Sequence, residues 1–122
     1  KGISWLSTQK KITKILYPYK RNSKNYKLWK KYYSGASGLL GIIINSKKKS
    51  SVYKFVNSLK LFGIGYSWGG FESLVVFNTS TELGKRNFFK LKKNEHLVRL
   101  HIGLEDYKDL ISDLKNAIKK IK

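Results

Sequence analysis

The sequence predicts a single α/β domain over residues 1–122, an α+β sandwich in which helices pack on a mostly antiparallel sheet of about four to five strands. A length of 122 residues suffices for one compact core. A hydrophobic fraction of 41% and an aromatic fraction of 14% exceed what a disordered chain of high charge contains. Helical and strand-like apolar spacings also alternate along the chain before giving way to consecutive strands.

The amino-terminal part of the chain is predicted to hold a helix end, a strand and a second helix. Apolar residues recur at helical spacing within residues 3–8, and the β-branched run from Ile12 to Pro18 indicates a short strand. Between residues 24 and 33, aromatic side chains recur among lysines at steps of three and four residues. That spacing predicts a helix whose aromatic face docks on the sheet.

The middle of the chain is predicted to form the centre of the sheet. The turn SGASG, residues 34–38, precedes LLGIIIN, residues 39–45. This nearly unbroken apolar run indicates a strand that is buried on both faces. The next helix carries its apolar stripe on residues 52–59, and Ser50 or Ser51 is expected to cap it.

A glycine-rich bend is predicted to separate two further strands. The segment from Leu61 to Asn78 has apolar runs on either side of Gly69 and Gly70. Backbone rather than side chain can approach a ligand at such a bend. Residues 79–94 show only a weak pattern and are expected to form a loop.

The carboxy-terminal segment is predicted to be a strand followed by an amphipathic helix. In residues 97–102 the alternation places Leu97, Arg99 and His101 on one side, so the arginine projects from the sheet. The helix after Asp106 has an aliphatic stripe, acidic residues early and lysines late, which complements the helix dipole. Such a basic helix can also lie on a membrane, but its aliphatic stripe is what a helix that covers a sheet needs.

The charge of the chain bears on its partners. A formal charge of +19 ordinarily points to nucleic acid or to an acidic membrane surface. Most of the 26 basic residues are scattered lysines, and only Arg21, Arg86 and Arg99 are arginines. This profile is typical of A/T-rich coding rather than of a nucleic-acid reader, which uses the arginine fork. We therefore expect neither nucleic acid nor a membrane as the partner.

Three absences indicate the context of the chain. It contains no methionine, so it is interpreted as part of a longer product. Without cysteine there is neither a disulfide framework nor a thiolate zinc site, which fits a cytoplasmic protein. No apolar run approaches the roughly 18 residues of a membrane helix.

Simple catalytic motifs do not account for a function. His96 and His101 have no acidic or cysteine cluster at ligand spacing, so no metal site is predicted. The sequence contains no GxSxG nucleophile motif. Glu105, Asp106 and Asp109 are interpreted as charges at the amino terminus of the last helix rather than as an acid/base pair.

Two segments carry a more specific signal, YSWGGFESL at residues 66–74 and RLHIGLED at residues 99–106. In this order they resemble the carboxy-terminal domain of the Cys/Met-metabolism family of pyridoxal-phosphate-dependent enzymes, which have fold-type I. The stretches WLSTQKKITKILYP and WKKYYSGASGLLGI resemble the family's preceding segments, so the resemblance covers almost the whole chain. Trp68, together with HIG, favours the cystathionine β-lyase branch, because the synthase and γ-lyase branches carry leucine at that position.

The resemblance implies roles for four residues. Arg99 is expected to clamp the α-carboxylate of an amino-acid substrate, since its planar fork makes two parallel charge-assisted bonds. Ser67 and Trp68 are expected to lie in the bend over that carboxylate as backbone donors and pocket wall, and Tyr66 to shape the same wall. Without the resemblance, Arg99 would be interpreted as a surface ion-pair partner and Trp68 as a packed aromatic residue.

The resemblance also implies what this chain lacks. Family members hold pyridoxal 5'-phosphate as a Schiff base on a lysine in a larger upstream domain, so no catalytic or cofactor-binding residue is expected here. Lys14, in ITKIL, lacks the family's flanking residues and is interpreted as a decoy. Intact members are expected to be homotetramers that cleave cystathionine by α,β-elimination to homocysteine, pyruvate and ammonia, and the fragment alone to be inactive. The alternative is a basic nucleic-acid-binding or relic module without catalytic activity.

Overall fold

The structure, a computed structural model, describes residues 1–79, 83 and 89–122 and forms a sheet with helices. The helices are α1 Gly2–Leu6, α2 Tyr26–Tyr32, α3 Lys49–Asn57 and α4 Tyr107–Ile118. The strands are β1 Ile12–Leu16, β2 Leu39–Asn45, β3 Gly63–Ile64, β4 Leu74–Asn78 and β5 Glu95–His101. These elements follow the predicted order. Part of the loop predicted at residues 79–94, namely residues 80–82 and 84–88, lies outside the described residues.

The five strands form one sheet in the order β1-β2-β5-β4-β3. All neighbouring pairs are antiparallel except β3 with β4, which run parallel. The prediction of a mostly antiparallel sheet is therefore confirmed. The two seven-residue strands β2 and β5 pair along their whole length, from Leu39 opposite His101 to Asn45 opposite Glu95.

One face of the sheet is covered by α1, α3 and α4. Alternate residues of the inner strands point into this core, and Ile42, Ile44, Val98 and Leu100 are all 0% exposed. Phe55 of α3 packs among them at 1% exposure. Full burial of side chains of this size stabilises the fold by about 1.5–3 kcal/mol each.

Helix α4 shows how local sequence fixes the elements. Asp106 is its N-cap and accepts a hydrogen bond from the Lys108 backbone N–H at 2.7 Å. The buried carboxylate of Asp113 accepts bonds from the backbone N–H groups of Lys60 and Leu61, which ties the chain after α3 to α4. Among the described residues, no helix is both long and apolar enough to span a membrane.

The other face of the sheet carries the predicted arginine. Arg99 and His101 lie on it, as the alternation predicted, because their neighbours Val98 and Leu100 belong to the helix-covered core. Ile43 and Val76 are also on this second face and are nevertheless 2% and 4% exposed. The prediction that β2 is buried on both faces is therefore confirmed.

The expected docking of α2 on the sheet is wrong. None of its residues is buried, and the half-buried Trp29 packs edge-on against Tyr19 with ring centroids 4.6 Å apart. Tyr19 in turn contacts Tyr17, which packs against the core. The chain that follows β1 thus lies between α2 and the sheet, because its own aromatic residues occupy that position.

The expected cap of α3 is also wrong. The N-cap position is Lys48, with no capping side chain. Ser51 lies inside the first turn, where its buried hydroxyl donates to the Lys48 carbonyl at 2.8 Å and contacts the Ser46 hydroxyl at 2.8 Å. Ser51 therefore ties the first turn of α3 to the end of β2 instead of capping the helix.

Candidate functional site

Arg99 lies at the centre of the sheet face opposite the helix-covered core, which we call the open face. Strand β5 is third of five, and the residues opposite Arg99 are Gly41 on β2 and Val76 on β4. The half-buried side chain crosses β4 and reaches the chain that follows β3. We call that segment, residues 65–73, the bend loop.

The guanidinium of Arg99 holds the start of the bend loop. Its Nη2 donates to the carbonyl oxygen of Tyr66, with longer contacts to the carbonyls of Gly65 at 3.5 Å and Ser67 at 3.4 Å. Its Cζ lies 6.0 Å from the centroid of the Tyr66 ring, within cation–π range. In the described part of the chain these bonds all run through Nη2. Nη2 shares one edge of the fork with Nη1 and the other with Nε, so two parallel bonds to a carboxylate would use one N–H of Nη2 together with one of those two nitrogens.

The bend itself turns at two glycines and presents exposed aromatic rings. Gly69 has a φ of 78°, in the left-handed region that glycine adopts without a steric cost. Tyr66, Trp68 and Phe71 are 69%, 66% and 69% exposed. This segment can therefore offer both ring surface and backbone to a ligand.

His101 lies under the bend, two residues after Arg99 on the same face of β5. It is 5% exposed, and its Nε2 lies 3.1 Å from the Gly70 carbonyl oxygen. The Gly69 N–H points at the same ring, with its nitrogen 3.5 Å from Nδ1 and 3.2 Å from Nε2. The imidazole therefore bridges β5 and the two glycines.

The end of the bend loop is held by Glu105. One carboxylate oxygen accepts a bond from the Ser73 backbone N–H at 2.8 Å, and the other accepts from the Ser73 hydroxyl at 2.7 Å. Burial alone would raise the pKa of Glu105, but the two bonds from Ser73 leave the pKa below its ordinary value. The ionised carboxylate is thus the form that the fold favours.

Close backbone contacts complete this arrangement. A Cβ at Gly103 would lie 2.1 Å from the Phe71 carbonyl oxygen, to which the Leu104 N–H donates at 2.8 Å. A Cβ at Gly38 would lie 2.4 Å from the Ile102 carbonyl oxygen. Only glycine permits both approaches, so the segment after β5 lies directly against the bend loop and the turn before β2.

The structure brings the four predicted site residues to one place. Tyr66 and Ser67 contact Arg99, and Trp68 lies between Ser67 and the glycine that contacts His101. Their roles toward a substrate remain predictions. Lys14 lies exposed on the edge strand β1, with β2 between it and β5.

Sequence reasoning missed two residues that hold the loop. Glu105 precedes the N-cap of the last helix, as interpreted, but its carboxylate also binds the backbone N–H and the hydroxyl of Ser73, which the sequence did not indicate. His101 was placed on the correct face but given no role. The available signal was its alternation with Arg99, which puts both side chains beneath whatever covers that face.

The residues described here do not form a cradle for pyridoxal phosphate. Within residues 1–79, 83 and 89–122, every buried side-chain nitrogen or oxygen has a hydrogen-bond partner. A phosphate cup would need several donors directed at an anion. The open face of the sheet instead offers one arginine fork and a wall of exposed rings, which suits a carboxylate next to a flat ligand.

Comparisons with known proteins identify the family of this chain. A family model described as Cys/Met metabolism PLP-dependent enzyme matches residues 2–119. The cystathionine β-lyase of Bordetella avium is 39% identical over 114 residues, 93% of this chain and 28% of that protein. The cystathionine β-lyase of Escherichia coli K12 is 32% identical over 99% of this chain and 31% of its own length. The L-alanine/L-glutamate racemase of Wolbachia pipientis wMel is 35% identical over 96% of this chain and 29% of its length.

A solved structure shows the same fold. The crystal structure of a Campylobacter jejuni protein described as O-acetylhomoserine (thiol)-lyase, which contains a pyridoxyl-lysine phosphate, matches with a TM-score of 0.75 and 28% identity. The match covers 97% of this chain and 26% of that chain. The chain thus spans less than a third of the length of the relatives it matches. It belongs to the Cys/Met-metabolism family of pyridoxal-phosphate-dependent enzymes, and the α/β fold predicted from the resemblance is confirmed.

Proposed function

We propose that this chain is the substrate-binding carboxy-terminal domain of a pyridoxal-phosphate-dependent carbon–sulfur lyase. The observation that supports the proposal most directly is the guanidinium of Arg99, which lies at the bend loop with its Nη2 engaged by backbone carbonyls. Cystathionine β-lyases from several bacteria are among the relatives. We propose cystathionine as the substrate, cleaved by α,β-elimination to homocysteine, pyruvate and ammonia.

In this proposal Arg99 binds the α-carboxylate of the amino acid. Two parallel bonds from a planar fork fix the orientation of the carboxylate, whereas a lysine would attract it without orienting it. The carbonyls that engage Nη2 hold the guanidinium in place before the substrate arrives, which reduces the entropy lost on binding. Trp68 and Tyr66 form the wall beside it, and Ser67 offers backbone donors.

The cofactor is proposed to be held by the remaining part of the full protein. When bound, pyridoxal phosphate supplies the electron sink for the elimination. This chain contributes the position of the substrate and excludes water from one side. The isolated chain is therefore proposed to show neither lyase turnover nor absorbance from bound pyridoxal phosphate, and either signal would contradict this division of roles.

A chimera tests the proposal. The chain replaces the matching 31% of the Escherichia coli cystathionine β-lyase, and cystathionine turnover is measured by the release of pyruvate. We expect the chimera to turn over, and Arg99→Ala to lower kcat/KM by about 100-fold or more, since a buried charge-assisted pair to the carboxylate is lost. Arg99→Lys should recover only part of this loss.

Arg21→Ala is the matched control, because Arg21 is an exposed arginine in the turn after β1, away from the bend loop. Its kcat/KM should equal that of the parent chimera. Racemisation of L-alanine is measured in the same samples, since a racemase is among the relatives. A chimera that binds cofactor and turns over cystathionine equally well with and without Arg99 would favour the relic alternative.

A further inference from the structure

The inference concerns the imidazole of His101, which the proposed function does not use. The ring is 5% exposed, whereas the two glycines of the loop that covers it are exposed. The second histidine of β5, His96, points to the opposite face, where its Nε2 lies 3.0 Å from the Ser46 carbonyl oxygen. His96 can therefore serve as a control for His101, because it is on the same strand but on the opposite face.

One tautomer of His101 satisfies both loop contacts. With the proton on Nε2, the ring donates to the Gly70 carbonyl at 3.1 Å, while Nδ1 accepts the Gly69 N–H at 3.5 Å. With the proton on Nδ1, Nε2 accepts from Gly69 at 3.2 Å and the Gly70 carbonyl loses its partner. Because the Nε2–H form keeps both contacts and the other form keeps one, the Nε2–H form is the better match.

Among the described residues, few other contacts hold the two glycines of the bend. A Cβ placed at Gly69 or at Gly70 would meet no atom within 4 Å, so side-chain packing does not fix these glycines. Arg99 holds the start of the loop and Glu105 its end. His101 is the side chain that ties the glycines themselves to the sheet.

We propose that His101 is a positioning residue, which fixes the Gly69–Gly70 bend to β5 and thereby sets Trp68 beside the guanidinium of Arg99. Glycine backbones have the most freedom to lose, so an untied bend would leave Trp68 moving relative to a rigid strand. The consequence for a substrate rests on the proposed function. The contacts of His101 with Gly69 and Gly70, which we call the latch, do not depend on the proposed function.

The test compares two substitutions that separate hydrogen bonding from packing. His101→Phe keeps a planar ring and removes both nitrogens. His101→Gln offers an amide oxygen and an amide N–H that can reach the positions of Nε2, so it can restore one acceptor and one donor. His96→Gln is the control, since it changes a histidine of the same strand on the opposite face.

Two measurements on the 122-residue chain report on the bend without any ligand. Amide hydrogen exchange of Gly69 reports its bond to the ring, with Val98 as a reference for the intact sheet. Time-resolved anisotropy of Trp68, in a background of Trp5→Phe and Trp29→Phe, reports the motion of the indole. In His101→Phe we expect Gly69 to exchange about tenfold faster and Trp68 to move more freely, while Val98 is unchanged.

His101→Gln should restore both signals, and His96→Gln should leave both at the parent values. Unchanged Gly69 exchange in His101→Phe would overturn the proposal, and so would a Gln variant that behaves like the Phe variant, because packing rather than bonding would then hold the bend. If His101→Phe does not fold, the imidazole nitrogen signals of the parent chain decide. An unprotonated nitrogen coupled to the Gly69 amide supports the latch, and its absence overturns it.

The chimera separates this proposal from the proposed function. His101→Phe should raise KM for cystathionine by about fivefold to tenfold with a smaller change in kcat, because a mobile wall weakens binding more than chemistry. A chimera without turnover would count against the lyase function, while Gly69 exchange and Trp68 anisotropy would still decide for or against the latch.

Discussion

Three side chains from one short stretch of sequence hold the bend loop at its start, its centre and its end. Arg99 and His101 are alternate residues of β5, and Glu105 follows in the turn. Arg99 and His101 bond to backbone groups of the loop, and Glu105 bonds to the backbone N–H and the hydroxyl of Ser73, so Ser73 is the one loop side chain among these bonds. The rings of the loop can therefore vary with the ligand while its path stays fixed.

The carboxylate of Glu105 makes part of the stability pH-dependent. Its pKa in the fold is below the ordinary value of 4.5, so its contribution is present above that pH and is lost as the pH falls through the folded value. We expect Glu105→Gln to destabilise the chain by about 1 kcal/mol at pH 7, and by much less near pH 3, as measured by urea unfolding. If the Gln variant lost as much stability between pH 7 and about pH 3 as the parent chain does, this role would be contradicted.

At the level of the elements, the segment after β5 depends on contact between two backbones. Gly103→Ala places a Cβ 2.1 Å from the Phe71 carbonyl oxygen and 2.6 Å from the Glu72 carbonyl carbon, so one segment must move away. We expect a loss of about 2–4 kcal/mol in the free energy of unfolding, with Tm lowered accordingly. Gly35→Ala is the control, because nothing lies within 4 Å of its Cβ, and it should be within about 0.5 kcal/mol of the parent. Equal effects of the two substitutions would refute the close contact.

Local periodicity predicted the order of the strands and the faces of residues 97–102, since alternation is a property of neighbouring residues. It placed Arg99 correctly and failed for α2, whose partner proved to be aromatic residues after β1. That failure is physical, because a ring stripe predicts burial but does not specify which surface covers it. The bond that the Ser73 N–H donates to Glu105 joins residues 32 apart in the chain, so no local pattern indicates it. The motifs around Arg99 were specific enough to identify the family, since they combine a glycine bend with an arginine and a tryptophan at fixed positions.

At the scale of the whole molecule, the charge of +19 bears on whether the chain has a surface that binds nucleic acid. Residues 1–71 contain no aspartate or glutamate, so the seven acidic residues all lie in the later part of the chain. A binding site for nucleic acid would concentrate basic side chains on one surface. Here lysines occur on α2, before and within α3, and on α4, which are separate parts of the fold. This distribution indicates general electrostatic attraction to polyanions rather than one surface dedicated to binding nucleic acid.

Two triple substitutions test that interpretation. Lys27, Lys30 and Lys31 of α2 are changed to glutamate in one variant, and Lys47, Lys48 and Lys49 around the start of α3 in the other. Binding of a labelled mixed-sequence DNA is measured by anisotropy at several salt concentrations. We expect the parent chain to bind with a Kd weaker than about 1 μM near 0.15 M salt, with a steep salt slope, and the two variants to weaken binding equally. Tight binding at that salt, abolished only by the α2 variant, would instead support a nucleic-acid surface on the exposed aromatic helix, because stacked bases would then add to the phosphate contacts.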